Sequence, residues 1–256
     1  MLLREYIDNE LSLNQIADKM GCSKKYILLM MKEHRIPRRL PDYSRHLRSK
    51  NTFVIVDELR NYIDGLLVSD GHLLKKNQWS ARYDQNFAER YLEWAETIKR
   101  DLKYFRIESK LLYYTTKEST IKSTGQIIHP AALIMLYTSY YDSFLTFRSR
   151  WYKNGSKVVP TDIKLTPQFC ANWYMGDGDY DSSTGRASFS THSFSLDEIK
   201  TLAYKLKRET GIICKIYPIR KQNNQLLMKM SRKESSVFFD YIRDHVVSCF
   251  EYKLGV

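Results

Sequence analysis

Two short stretches of this 256-residue chain finish on the same two residues. The first is Ile63-Asp64-Gly65-Leu66-Leu67-Val68-Ser69-Asp70-Gly71 and the second is Cys170-Ala171-Asn172-Trp173-Tyr174-Met175-Gly176-Asp177-Gly178. In each, an apolar helical run carrying small residues stops at Asp-Gly. Gly65 and Ser69 are four apart and share a helix face, whereas Ala171 and Gly176, though both small, do not share that spacing. A carboxylate in the last turn of a helix meets the negative end of the dipole, at a cost of ~0.3–1 kcal/mol. Two such helices packed through small residues would also bring Asp70 and Asp177 together, which is worse. Divalent cations relieve both penalties, and hard oxygen ligands suit Mg²⁺. The chemistry this serves is metal-assisted attack of water on a phosphodiester. Either aspartate alone reads as an ordinary turn residue before a glycine; the weight lies in the matched pair.

The elements that must carry the pair repeat as well. In the first half the pattern predicts a helix over Val54–Val68, strands near Trp79–Asn86, Leu111–Thr116 and Thr120–Ile128, a helix over Glu89–Phe105, and helical segments at Ala131–Tyr140 and around Tyr141–Phe147. In the second it predicts a helix over Thr166–Met175 with Pro167 at its start, and strands at Ala187–Thr191, Ile212–Ile219 and Gln225–Met230. Helices are expected there at Leu196–Thr210 and Val237–Val247, the former amphipathic through Ile199, Leu202, Ala203 and Leu206. A duplication of about one hundred residues implies two similar halves about a pseudo-two-fold axis. The fold class is therefore α+β. The expected division is 1–50, 51–160 and 161–256.

Lys and Arg total 41 against 29 Asp and Glu, a formal net charge of +12. An excess of this size favours a polyanionic partner. It is concentrated: residues 24–50 hold nine basic and two acidic residues, while residues 1–23 are net acidic. The switch falls at a turn. Ser12 is placed to cap a helix over Leu13–Met20, Gly21 to turn the chain, and Ser23 to cap a second helix to about Glu33. Ile16, Ala17, Met20, Ile27 and Met31 are spaced to meet between them. Ala17, Gly21 and Ile27 resemble the small, turn and buried aliphatic positions of a helix-turn-helix, whose second helix enters the major groove N-terminus first. That would present Lys24, Lys25 and Tyr26 to DNA. The plainer reading is a helical hairpin with a solvated basic face. Arg38 and Arg39, set between Pro37 and Pro41, read as an extended linker that could lie along phosphates.

No run approaches ~18 apolar residues, so no membrane-spanning helix is expected. The N-terminus lacks a secretory h-region. Cys22, Cys170, Cys214 and Cys249 are far apart and form no CxxC pair, so neither a zinc cluster nor a disulfide framework is expected. The natural reading is an intracellular protein of the cytoplasm, nucleoid or organellar matrix.

The doubled motif resembles that of the LAGLIDADG homing endonucleases, in the branch that carries both repeats on one chain. The likeness covers about residues 51–256. It extends to Lys157-Val158-Val159-Pro160 and Leu165-Thr166-Pro167 before the second motif, to Thr191-His192-Ser193-Phe194, and to Tyr252-Lys253-Leu254. The resemblance implies two αββαββα-like repeats whose antiparallel sheets form a saddle over double-stranded DNA. It implies a monomer that breaks both strands and leaves short 3′ overhangs. Mg²⁺ or Mn²⁺ would be held by Asp70 and Asp177, with the backbone carbonyls of Ser69 and Gly176 as further ligands, and Ca²⁺ would bind without supporting cleavage. Lys157 and Lys253 match the active-site lysines that close each repeat, and Gln85 a polar strand residue of the first site. Asp64 stands where a small residue is usual and Asn172 where glycine is usual, and either could loosen the helix packing. The second half offers Ser190 and His192 where a Gln or Asn is expected.

Alternate strand residues should face the groove. Candidates are Tyr83, Gln85, Tyr113, Tyr114, Lys117, Lys122, His192, Lys215, Arg220, Lys221, Lys229 and Arg232. The expected function is a site-specific homing endonuclease. The alternative is a non-catalytic nucleic-acid-binding protein on the same fold, an intron maturase or a DNA-binding regulator. An intein is disfavoured, because the chain starts with Met and its end lacks a His-Asn junction.

Overall fold

The computed structural model describes residues 5, 6, 9, 11–34, 36, 52–120, 127–218 and 225–255. The chain divides into two compact units, residues 1–51 with Asn77–Trp79, and the remainder.

The smaller unit is a helical pair. Helix α1 (Leu13–Met20) is closed by a capping box in which Ser12 accepts from Gln15 N and the Gln15 side chain returns to the Ser12 N–H. Gly21, at φ 63°, ends it in the left-handed region and starts the turn into α2 (Lys24–Glu33), which Ser23 caps. Ile16, Ala17, Ile27 and Met31 are buried between the two, with Met20 packed against them. The exposed first turn of α2 carries Lys24, Lys25 and Tyr26.

The larger unit runs through one cycle of elements twice. The first half is α3 (Asp57–Leu67), β1 (His72–Asn77), β2 (Ser80–Ala88), α4 (Leu92–Tyr104), β3 (Ser109–Thr115), the short pair β4 (Ser119–Thr120) and β5 (Ile127–Ile128), β6 (Ala132–Thr138), and α5 (Phe144–Trp151). A two-stranded hairpin, β7 (Tyr152–Lys153) and β8 (Ser156–Lys157), closes it. The second half is α6 (Pro167–Asp177), β9 (Gly178–Asp181), β10 (Arg186–Ser190), α7 (Leu196–Thr210), β11 (Cys214–Pro218), β12 (Leu226–Met230) and α8 (Arg232–Ile242), closed by a 3₁₀ stretch over Ser248–Leu254. Helix starts follow local chemistry: Thr166 with Pro167 at α6, Ser195 with Glu198 at α7, and Ser231 at α8.

The two sheets have equivalent orders, β1-β2-β6-β3 and β9-β10-β12-β11, with antiparallel pairing along β2, β6 and β3 and along β9, β10, β12 and β11. One apolar core runs through both halves. Its sheet contribution comes from one parity of each strand: Ala81, Tyr83, Phe87, Ile134 and Leu136 in the first, Ala187, Phe189, Met228 and Met230 in the second. The opposite faces of both sheets are left to solvent.

Three expectations need correcting. Ala132–Thr138 is a strand, not a helix. Its run of Ala, Leu, Ile and Met has no polar punctuation to separate buried helix from buried strand, and pairing with β2 and β3 on its two edges decides the matter. Strands β1 and β9, which follow directly on the two Asp-Gly turns, were not expected. The strand expected over Thr120–Ile128 is seen only at its two ends, as β4 and β5, and residues 121–126 lie outside the described residues.

Candidate active site and sheet faces

Helices α3 and α6 pack side by side with their C-terminal ends converging. Gly65 faces the Phe169 backbone so closely that a Cβ there would fall 2.7 Å from Phe169 Cα and its carbonyl oxygen. Nearer the ends, a Cβ on Gly176 would fall 2.6 Å from the Cβ of Ser69. The small residues are thus what lets the backbones approach.

Asp64 and Asn172 do not loosen this packing; both are buried and paired. Arg150 grips the Asp64 carboxylate with both Nη atoms, each at 2.9 Å, and Trp151 Nε1 donates to it at 2.6 Å. Arg150 also donates to Asp162 at 2.7 Å. Burial raises the Asp64 carboxyl above its usual range despite these partners. Asn172 donates from Nδ2 to the Tyr62 carbonyl on α3 at 3.2 Å and accepts from Gln168. Polar groups at this depth require such partners.

Asp70 stands on the turn just beyond α3, exposed, while Asp177 is the last residue of α6 and half-buried. The two are close enough to feel each other's charge. Burial and then the charge of Asp70 push the Asp177 carboxyl up to about 7, against the pull of Lys157 and Lys253.

The lysines close the halves alike. Lys157 Nζ donates to the carbonyls of Ser69 at 2.7 Å and Gly71 at 2.8 Å, the two neighbours of Asp70. Lys253 Nζ donates to those of Met175 at 2.9 Å and Gly178 at 2.7 Å, around Asp177. Each ammonium therefore fixes the turn that carries an aspartate, and places a positive charge beside it. Burial pulls Lys157 down to about 8 and lowers Lys253 as well.

Tyr83 and Gln85 lie on the inner parity of β2 and do not face a groove, correcting the expectation that they read DNA from the sheet. Gln85 is 2% exposed; the Tyr83 hydroxyl donates to its Oε1 and its Nε2 has no acceptor among the described residues. Tyr83 meets the Asp70 turn, since a Cβ on Gly71 would fall 2.8 Å from its ring. The inner parity of β10 holds only Ala187 and Phe189, with Phe189 stacked on Trp173. Ser190 and His192 are both exposed, so neither is an inward counterpart of Gln85.

On the outer face of the second sheet, Lys215, Lys229 and Ser188 form one cross-strand row. Like charges directly opposed are unfavourable, and Lys229 has Asp181 3.8 Å away. On the first sheet Tyr114 is on the outer face, where its hydroxyl donates to Asn86, while Tyr113 has the other parity at the sheet end. Lys117 is exposed in the loop after β3, and Arg232 begins α8 and is not on a strand. Arg38, Arg39, Lys122, Arg220 and Lys221 lie outside the described residues.

Sequence reasoning missed a group on the outer parity of β1 and β2. Asp84 lies 3.0 Å from His72 Nδ1 and accepts from Arg82 Nε at 3.3 Å. The Arg82 guanidinium sits over the rings of Tyr137 and Tyr140, and Lys76 over Tyr140. The alternation of Ala81, Tyr83 and Phe87 inward would have placed Arg82 and Asp84 outward; only the unseen β1 hid their partners.

Two αββαββα halves, packed through paired helices with an aspartate at or just beyond each C-terminal end, define the LAGLIDADG endonuclease fold. The sequence pattern of the LAGLIDADG DNA endonuclease family matches residues 60–238, and the chain belongs to that family. It is 29% identical over 258 residues to the uncharacterised protein MJ1098 of Methanocaldococcus jannaschii, covering 99% of this chain and 94% of that one. It is 30% identical over 141 residues to the cytochrome b mRNA maturase bI2 of Debaryomyces hansenii, covering 54% of this chain and 51% of the maturase. The solved structure of the homing endonuclease I-WcaI bound to its DNA recognition sequence shares the fold, with a TM-score of 0.64 at 17% identity, covering 86% of this chain and 94% of that one. Among the described residues no helix is long and apolar enough to cross a membrane.

Proposed function

We propose that this protein is a site-specific homing endonuclease that makes double-strand breaks in a long DNA target, leaving short 3′ overhangs, and works as a monomer through its two halves. The observation that carries the reading is the convergence of Asp70 and Asp177 at the ends of α3 and α6, each on a turn held by its own lysine.

The residues present suit a hard divalent cation. The described residues contain no group of three or more His, Cys, Asp or Glu able to hold a metal. A cation here would therefore rest on the two carboxylates and backbone oxygens, and would keep water and phosphate oxygens as its remaining ligands, which is how Mg²⁺ is usually bound. Asp70 and Asp177 would hold Mg²⁺ or Mn²⁺. The Gly176 carbonyl is a further candidate ligand, and the Ser69 carbonyl another, though it already accepts from Lys157. Bound there, the cation would polarise the scissile phosphate and lower the pKa of an attacking water. The chain does the rest. Lys157 and Lys253 keep the carboxylates in place and offset the charge that builds on phosphate. The unpaired Gln85 Nε2 offers a donor to a water or oxygen at the first site.

The outer sheet faces would lie on the duplex, with Lys215 and Lys229 near phosphates. Lys24, Lys25 and Tyr26 of α2 would add a separate groove contact, with Arg38, Arg39, Lys117, Lys122, His192 and Arg220 as further basic contacts.

The test is cleavage of duplexes selected from a randomised library, by the wild type and by Asp70→Asn and Asp177→Asn, with Mg²⁺ or with Ca²⁺. Wild type should cut both strands in Mg²⁺ and bind without cutting in Ca²⁺, and both variants should bind without making double-strand breaks. Normal cutting by both variants would overturn the assigned chemistry. The similarity to a maturase supports a second reading, binding of intron RNA without DNA cleavage, and a wild type that binds such RNA and never cuts DNA would establish it instead.

A further inference from the structure

The cluster around Asp84 differs from the Lys215–Lys229 row of the second sheet. Lys215 and Lys229 are flexible point charges in a mutually repelling row. Arg82 is a flat group locked at one end. Its Nε is bound to Asp84, and its plane rests over Tyr137 and Tyr140 with Cζ 5.1 and 5.5 Å from the ring centroids. His72 Nδ1 lies against the other Asp84 oxygen. A carboxylate can only accept, so the imidazole proton sits on Nδ1 and Asp84 is fixed between two donors. Nη1 and Nη2 of Arg82 are left without a protein acceptor among the described residues.

Two N–H groups side by side on an anchored guanidinium, on a side chain that is 23% exposed, match a pair of acceptors. Phosphate offers such a pair, and so do N7 and O6 of guanine in the major groove; adenine presents an acceptor beside a donor and does not match. The carboxylate favours the second. Asp84 lies against the guanidinium, offsets its charge and would itself repel a phosphate brought up to the same group, so the positive charge left nearby for phosphates is that of Lys76, over Tyr140. Position agrees, because β2 is an inner strand of its sheet, between β1 and β6.

We infer that Arg82 is a specificity-determining residue that reads one guanine through its N7 and O6 edge, with Asp84, Tyr137 and Tyr140 as its positioning residues. The inference rests on the duplex-recognition reading above. The cation–π support also explains why Arg and not Lys stands here, since only the planar fork can stack and donate twice.

The experiment is selection of bound duplexes from a randomised library in Ca²⁺, followed by affinity measurements at several salt concentrations, for wild type, Arg82→Ala, Arg82→Lys and Tyr140→Leu. Wild type should demand guanine at one position. Arg82→Ala should lose about tenfold to a hundredfold on that site and bind all four bases there alike, with the salt slope unchanged. Arg82→Lys should keep at most a weak preference, and Tyr140→Leu, with the arginine intact but unsupported, should fall between. Uniform weakening across all sequences with a slope smaller by about 0.9 would show a phosphate contact and overturn the inference, as would an unchanged preference in Arg82→Ala. A wild type that enriches no sequence would defeat the duplex-recognition reading itself, and the role of Arg82 with it.

Discussion

Gly65 on the first motif helix touches the backbone of Phe169 on the second, with no room for a methyl group between them. The obstacle is main chain, which cannot rotate aside. Gly65→Ala should therefore destabilise the protein by about 1–3 kcal/mol, despite the better helix propensity of alanine. Urea denaturation would check this. Gly155→Ala meets open space at a strained backbone and serves as a comparison in which the cost comes from φ alone. A neutral Gly65→Ala would contradict the close helix contact.

Asp64 of α3 and Arg150 of α5 form the second lever. Arg150→Met leaves a carboxylate buried with only the Trp151 donor, and should cost about 3–5 kcal/mol. The double variant Asp64→Leu with Arg150→Met removes both charges and should recover much of that loss. If the double variant is as unstable as the single, the cost lies in lost packing and not in the stranded charge.

Asp177 makes a pH-dependent prediction. Its folded pKa of about 7 lies above the ordinary 3.8. Between those values the folded chain holds a proton that the unfolded chain releases, so this group's contribution to stability falls as pH rises from about 4 to 7, and the full penalty stands above 7. In chelator, Asp177→Asn should raise the melting temperature at pH 8 by about 2–4 °C, equivalent to about 1 kcal/mol, and should give no gain at pH 4. Added Mg²⁺ should stabilise the wild type more than the variant. A gain equal at both pH values would refute the electrostatic origin.

Salt dependence separates the proposed DNA contacts. Replacing Lys215 and Lys229 together with alanine should reduce the slope of log affinity against log salt by about 1.8 if each touches a phosphate. Deleting residues 1–40 should weaken binding and shrink the slope while some cutting survives. Were the slope unmoved by the deletion, the helical pair would have no contact with DNA.

Much of the candidate site could be read in the sequence, because its chemistry is local: Asp-Gly after an apolar run with small residues, repeated, and a lysine at the end of each repeat. The caps at Ser12 and Ser23 were equally plain, and α7 runs from Leu196 to Thr210 as its pattern predicts. What stayed hidden depends on long-range pairing. Ala132–Thr138 becomes a strand only because β2 and β3 flank it. The partner of Asp64 lies eighty-six residues away, and nothing near Asp64 announces it. Tyr83 and Gln85 face inward with Ala81 and Phe87, an alternation that is legible along β2 once the apolar parity is taken as the buried one. Without β1 there was no reason to set His72 beside Asp84.

The Asp64–Arg150–Asp162 cluster has a consequence for how the halves find each other. Asp162 belongs to the segment that joins them, and the same segment is tied to the second half by Glu198 to Val159 N, Glu209 to Leu165 N and Lys205 to the Ile163 carbonyl. The joint is pinned on both sides and leaves almost no slack. Docking of the two motif helices then behaves as an intramolecular event at the millimolar or higher effective concentration of a short tether, insensitive to how dilute the protein becomes.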